Sequence, residues 1–189
     1  MQIASLIVGI GAVALYLLCF QLKNARAIIA CRFLSSILYV VQYLLLFAFV
    51  GAAMDAAAGI ANGIAYKKDT PFVKKYKIPI LIAVNAAIIA AGLLLYESPV
   101  SLLPIIAVIF ESTSNWMKNE KRLRIVSLIG VPFWLVYNAI CGAYAATLGS
   151  LLAIFSIISA LVRYSKLDKA KGDELEKKRA EADSLQKAV

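Results

Sequence analysis

The sequence predicts an all-α membrane protein of seven transmembrane helices, N-terminus outside and C-terminus inside, and three observations carry that prediction. The chain is 62% hydrophobic, well above the roughly 45–50% of ordinary soluble domains. Its apolar residues come in blocks close to the roughly 20 residues that a helix needs to cross the hydrocarbon core. All 20 Lys and Arg residues fall in alternate connections, as expected when short basic loops stay on the cytoplasmic side. A missed or added span would break that alternation.

The first span is 3–22. It lacks the basic start and the A-x-A-like end of a cleaved signal peptide. Lys23, Arg26 and Arg32 surround the turn to the second span, 28–47, which passes without a basic residue into the third, 50–66. Lys67, Lys68, Lys74, Lys75 and Lys77 fill the next connection. The fourth span, 78–95, is followed by a turn holding Glu97 and no cation, and then by the fifth, 100–117. Lys118, Lys121, Arg122 and Arg124 surround the turn to the sixth, 125–140, and the seventh is 142–162. Beyond Arg163 the tail "KLDKAKGDELEKKRAEADSLQKAV" mixes seven basic with six acidic residues. It has no core of its own, and its Glu, Lys and Ala content favours a frayed, solvated helix.

A shift of 95 residues lays the first three spans over the last three without a gap. "QLKNAR" at 21–26 falls on "WMKNEK", "YVVQY" at 39–43 on "WLVYN", and "FAFVGA" at 47–52 on "GAYAAT". Basic turns, tight outer turns and span ends coincide together. The chain then divides into a first three-helix repeat (1–66), a basic loop with a linker helix (67–98), a second repeat (99–164) and a charged cytoplasmic tail (165–189). The single linker span returns the second repeat to the membrane in the orientation of the first. That is a 3+1+3 plan with parallel repeats about an axis along the membrane normal, of the kind found in SWEET transporters.

The stretches "SLLPIIAVIFESTSNWMKN" and "PFWLVYNAICGAYAATLGSLLAIFSIISALVRY" resemble the YgjV-type family of bacterial inner-membrane proteins, a distant relative of the PQ-loop and SWEET transporters. The resemblance covers most of 2–164 and is best in the second half, at Leu103, Pro104, Trp134, Asn138, Gly142, Ala143 and Tyr144. It implies a multi-pass protein of the bacterial inner membrane with a SWEET-like arrangement, and no substrate. The proline–glutamine pair of PQ-loop helices is absent. Pro104 precedes an isoleucine, and the shift puts Gly9 at its equivalent.

Polar residues within spans are the candidate site. Gly51, Asp55, Gly59 and Gly63 recur every four residues, a stripe that lets another helix come close. Asp55 lies about one turn below the outer end of its span, where it reaches water as a gate or vestibule residue, or acts as an acid near a helix N-terminus; a proton site within the membrane is the third reading, ranked below these. Asn62 beside the stripe is either glue between helices or a substrate contact, the second implied by the SWEET resemblance. Glu111 lies roughly 16 Å into its span, where a carboxylate marks a pathway unless the span is short and the run "ESTSNW" belongs to the interface. Tyr39, Gln42 and Tyr43 face Trp134, Tyr137 and Asn138 under the repeat. Such a set fits stacking and hydrogen bonding to a neutral polar solute or an aromatic belt. Ser156 and Ser159 offer hydroxyls to a solute or to their own helix. Pro104 is a candidate hinge.

These residues lead to a carrier or facilitator of a small solute in which two three-helix bundles rock, with Glu111 as the switch in a proton-coupled version. The alternative is a non-transporting scaffold or ligand sensor acting through its basic loops and tail. An enzyme finds no support, since the chain has no histidine, no metal-ligand set, no cofactor motif and no nucleophile beside a base. Cys19, Cys31 and Cys141 are scattered, as packing thiols are. The net charge of +9 matches an anionic leaflet rather than nucleic acid. Small residues on the third span and at 83–91 serve either internal packing or contacts with a second copy.

Overall fold

A computed structural model of the chain describes the backbone of residues 2–187 and the side chains of residues 2–166 other than Phe20. Among the described residues there are helices and no strands: α1 (Gln2–Gln21), α2 (Ala25–Leu45), α3 (Phe49–Tyr66), the short α4 (Pro71–Lys75), α5 (Lys77–Leu94), a single 3₁₀ turn (Pro99–Ser101), α6 (Leu102–Asn115), α7 (Glu120–Ile140) and α8 (Tyr144–Lys187). Five of them are long and apolar enough to cross a membrane: α1, α2, α5, α7 and the first 23 residues of α8. Pro99–Asn115 is a shorter apolar helix. α3 is as long as α5 but interrupts its apolar residues with Asp55 and Asn62.

Helix ends follow local chemistry. Asn24 caps α2 by accepting from the Arg26 amide at 2.9 Å, and Asn119 caps α7 through the Lys121 amide at 2.9 Å. An asparagine oxygen at that position satisfies one of the amides that a helix start leaves without a partner. These caps start α2 and α7 three and five residues earlier than the hydrophobic blocks at 28 and 125 suggested. Pro71, preset for the first turn of a helix, opens α4 inside the basic connection, where the sequence predicted only a loop. The backbone of α8 continues to Lys187. The expected solvation of the tail concerns side chains outside the described residues.

A shift of 95 residues carries α2 onto α7 at both ends, and the first residue of α3, Phe49, onto the first of α8, Tyr144. It carries the capping Asn24 onto Asn119 and the tight turn at Phe47 (φ 57°) onto Gly142 (φ 69°). Packing repeats as well. α1 and α2, α2 and α3 are paired as α6 and α7, α7 and α8 are, and the two sets meet along two seams, α1 against α8 and α3 against α6. α5 lies outside, against α3 and α6, with only Ile88 and Gly92 buried.

The glycine stripe of α3 faces α2: a Cβ on Gly59 would meet that of Ser36 at 3.4 Å, and one on Gly63 would meet the Phe33 ring at 3.8 Å. Gly130 sets the approach of α6 to α7, since a Cβ there would lie 3.0 Å from the Ala107 carbonyl oxygen. Backbone cannot yield as a side chain does. Gly130→Val is therefore expected to lower stability by about 1–3 kcal/mol, read as a reduced unfolding midpoint in detergent.

Candidate functional site

The surface of the molecule is rich in apolar side chains, and its largely apolar core encloses buried polar groups. Ile3, Ile78, Leu94 and Phe155 are exposed, whereas Arg32, Gln42, Asn62 and Asn115 are each 0–1% exposed. That distribution suits a hydrocarbon surround, and some of the buried polar groups, Arg32, Ser36, Asp55, Asn138 and Ser150 among them, line one central cavity.

The cavity is lined by Tyr16, Arg32, Ser36, Tyr39, Tyr43, Asp55, Glu111, Val131, Trp134, Asn138 and Ser150. Ten of these eleven come in pairs separated by 95 residues: Tyr16 with Glu111, Ser36 with Val131, Tyr39 with Trp134, Tyr43 with Asn138 and Asp55 with Ser150. The eleventh, Arg32, bonds directly to its own equivalent, Ser127, at 2.8 Å. The paired residues also touch one another. Tyr43 donates its hydroxyl to Asn138 Oδ1 at 2.5 Å and stacks on Trp134 with centroids 6.1 Å apart. Asn138 in turn donates to Ser150 Oγ at 3.3 Å. The volume is about 30 Å³, enough for one or two waters. The pairs differ in chemistry: both acids come from the α3–α6 seam, while their equivalents on the α1–α8 seam are Ser150 and Tyr16.

At the end of the bundle that carries the basic turns, a buried polar layer closes the cavity. Arg32 donates to Ser114 Oγ (3.0 Å), Asn115 Oδ1 (2.8 Å) and Ser127 Oγ (2.8 Å), which joins α2 of the first set to α6 and α7 of the second. The Ser114 hydroxyl donates a hydrogen bond to the Glu111 carbonyl at 2.7 Å, and the Ser127 hydroxyl one to the Leu123 carbonyl at 2.8 Å. The Asn115 amide donates to Asn62 Oδ1. Lys68 adds a second tie, from Nζ to the carbonyls of Asn115 (2.7 Å) and Met117 (3.0 Å) at the end of α6.

The opposite end has two crevices instead. One, about 310 Å³, opens beside the α1–α8 seam and includes Gln2, Ser5, Gln42 and Tyr144. The other, about 320 Å³, opens beside the α3–α6 seam and includes Glu97, Val100, Tyr137 and Phe49. Each residue lining the first maps onto a lining residue of the second under the same 95-residue shift.

The structure brings Glu111, Tyr39, Trp134, Asn138 and Asp55 to the cavity and sends the other predicted residues elsewhere. Asn62 is buried in the closing layer. Gln42 and Tyr137 occupy the two crevices. Gln42 packs where a Cβ on Gly9 would stand, 2.5 Å from its Nε2, so that glycine makes room for an amide rather than for a bend. Pro104, third in α6, is buried in the packing and does not line the cavity. Ser156 accepts from Gln21 Nε2 at 3.0 Å, and Ser159 lies in a shallow surface hollow. Cys19 is buried, Cys31 and Cys141 are half-buried, and all three are free thiols.

Two expectations are corrected. Asp55 does not reach water at the membrane surface: it is 7% exposed and lines the cavity, because the α3 stripe that carries it turns toward α2 and the seam. Arg32 does not belong to the first basic turn. α2 begins at Ala25, which puts Arg32 about 10 Å along the helix, 1% exposed and folded inward. Sequence reading also passed over Tyr16, Ser150, Ser127 and Asn115. The first three were legible as the repeat equivalents of Glu111, Asp55 and Arg32.

No curated protein and no solved structure matches the chain. A family of bacterial inner membrane proteins, Imp-YgjV, matches residues 3–168. That match covers every helix that builds the cavity, and it agrees with the apolar exterior and the membrane-length helices: the chain is an integral inner-membrane protein and belongs to the Imp-YgjV family.

Proposed function

We propose that the protein carries a small solute across the inner membrane by rocking two three-helix units, α1–α3 and α6–α8, about the central cavity. In this reading seven helices cross the bilayer, α3 and α6 included, in a 3+1+3 parallel-repeat plan. The N-terminus is outside, and the basic end is cytoplasmic. The observation that carries the proposal is the lining of the cavity by pairs of residues 95 apart. Residues touch their own equivalents only where they flank a common axis, and transporters of repeated architecture hold their substrate at such a place. The layer around Arg32 closes one end, and the twin crevices part the units at the other. In this reading the two features belong to an occluded conformation that leans open to the outside. With two carboxylates and one guanidinium in the wall, the site favours a proton or a small cationic or hydrogen-bonding solute. Anything larger than one or two waters enters only when the units separate.

The test is thermal stability of the purified protein across sugars, amino acids, amines and nucleosides, followed by uptake into proteoliposomes. A bound solute should stabilise the protein by about 2.7 kcal/mol at a hundredfold excess over Kd. Stabilisation by one chemical class, with matching uptake, is the expected result. No stabilisation and no uptake across the panel would overturn the carrier and favour the scaffold. Truncation before residue 165 separates the two further, since a carrier keeps its solute response and a scaffold acting through its tail loses its function.

A further inference from the structure

The basic end holds a second cavity, separate from the central one. It is about 350 Å³ in volume and is lined by Asn24, Ala25, Arg26, Lys68, Asp69 and Lys118. We infer that this cavity is a binding site for a phosphate-bearing anion, either free phosphate or the headgroup of an anionic lipid. The inference stands independently of the transport reading.

Charge is the first argument. Three cations line the cavity against a single carboxylate, Asp69, which is already engaged by Arg26 at 3.1 Å. Lys68 is held there by two carbonyls, and burial keeps its ammonium below its usual pKa, with Lys77, Arg26 and Lys118 adding to the depression and Asp69 opposing it. An added negative charge would relieve that repulsion.

The second argument is internal to the chain. The 95-residue shift carries Asn24, Ala25, Asp69 and Lys118 onto Asn119, Glu120, Tyr164 and Lys23. In the second half the protein supplies the anion itself. Glu120 Oε2 accepts from the Tyr164 hydroxyl at 2.5 Å and lies 3.6 Å from the Arg124 guanidinium, which also covers the Tyr164 ring at 5.0 Å. Glu120 is the first residue of its helix, where a negative charge is favourable. In the first half that position is Ala25, and a cavity with cationic walls lies beside it. Arg26 lies in the first turn of α2, Lys68 just after α3 and Lys118 just after α6, so an anion among them would tie the first unit to the end of α6. Basic pockets of this kind between helices at an anionic leaflet take phosphate headgroups.

The experiment uses the full-length protein and three variants: Lys118→Gln, which removes one exposed cation; Ala25→Glu, which puts a carboxylate at the position equivalent to Glu120, beside the cationic wall; and Lys75→Gln, an exposed control outside the cavity. Unfolding midpoints are measured in lipid-free detergent with sodium phosphate against chloride at equal ionic strength. They are measured again in nanodiscs of phosphatidylcholine with and without phosphatidylglycerol. The wild type and Lys75→Gln should be stabilised. Lys118→Gln should need at least about threefold more of the anion, the effect of about 0.6 kcal/mol of lost attraction. Ala25→Glu should be stabler without added anion and unresponsive to it. A response to phosphate in detergent identifies a soluble anion, and a response confined to phosphatidylglycerol identifies the headgroup. Failure of both, or responses that Lys118→Gln and Ala25→Glu leave unchanged, overturns the site.

Discussion

Arg32→Ala is expected to lower stability by about 2–5 kcal/mol, since it strips hydrogen bonds from a charged donor, each worth about 1.5–3 kcal/mol, from three neutral acceptors. A single neutral hydrogen bond between membrane helices averages only about 0.6 kcal/mol, so most of the loss must come from the charge and from what it leaves behind. Arg32 donates to Ser114, Asn115 and Ser127 from a position 1% exposed, and without it the Asn115 carbonyl has no water to turn to. Arg32→Lys should recover part of the loss, since an ammonium keeps the charge but cannot reproduce the planar fork that reaches three acceptors. The measurement is the unfolding midpoint in detergent of both variants, with a double-mutant cycle against Ser127→Ala. A coupling near zero between Arg32 and Ser127 would deny that the contact between repeat equivalents holds the two units together.

Glu111→Gln should weaken solute binding by roughly 10- to 150-fold, the equivalent of a charge-assisted hydrogen bond of about 1.5–3 kcal/mol. The substitution keeps the shape of the side chain, the Gln oxygen can still accept from Asn62 as the carboxylate does, and the backbone carbonyl still accepts from Ser114, so folding should survive. The same change at Asp55, Asp55→Asn, should act in the same direction because both carboxylates line the α3–α6 side of the cavity. Their equivalents Ser150 and Tyr16 serve as comparison: Ser150→Ala and Tyr16→Phe should cost binding less, since each removes a neutral hydroxyl. The solute is the one selected by the stability panel, and the readout is its apparent Kd by titration of the unfolding midpoint. Unchanged affinity in both Glu111→Gln and Asp55→Asn, beside a folded protein, would remove the cavity from solute binding.

Much of the architecture was legible before any coordinates. The offset of 95 residues, which lays Asn24 on Asn119 and "FAFVGA" on "GAYAAT", can be read along the chain, and the structure places these stretches in corresponding geometry, the asparagines as caps and Phe47 and Gly142 at tight turns. Glu111 stood out for its depth, and it lines the cavity. The failures share a cause. Asp55, Arg32 and Gln42 were placed by distance from a span end, which measures height along a helix but says nothing of azimuth. Arg32 looked like part of a basic turn because long cationic side chains near helix ends normally reach for water. Only the three acceptors brought by α6 and α7 hold it inside.

The sequence by itself determined that this is a membrane protein, roughly where its long helices run, and that its first and last thirds repeat. Those properties are one-dimensional: hydrophobic length, loop charge and periodic likeness each depend on neighbours in the chain. Tertiary structure alone decided which polar residues face the axis, that two carboxylates share one small cavity, and that one end is tied while the other is parted. These depend on the rotation of each helix against partners as many as 135 residues away, and packing, not local pattern, sets that rotation.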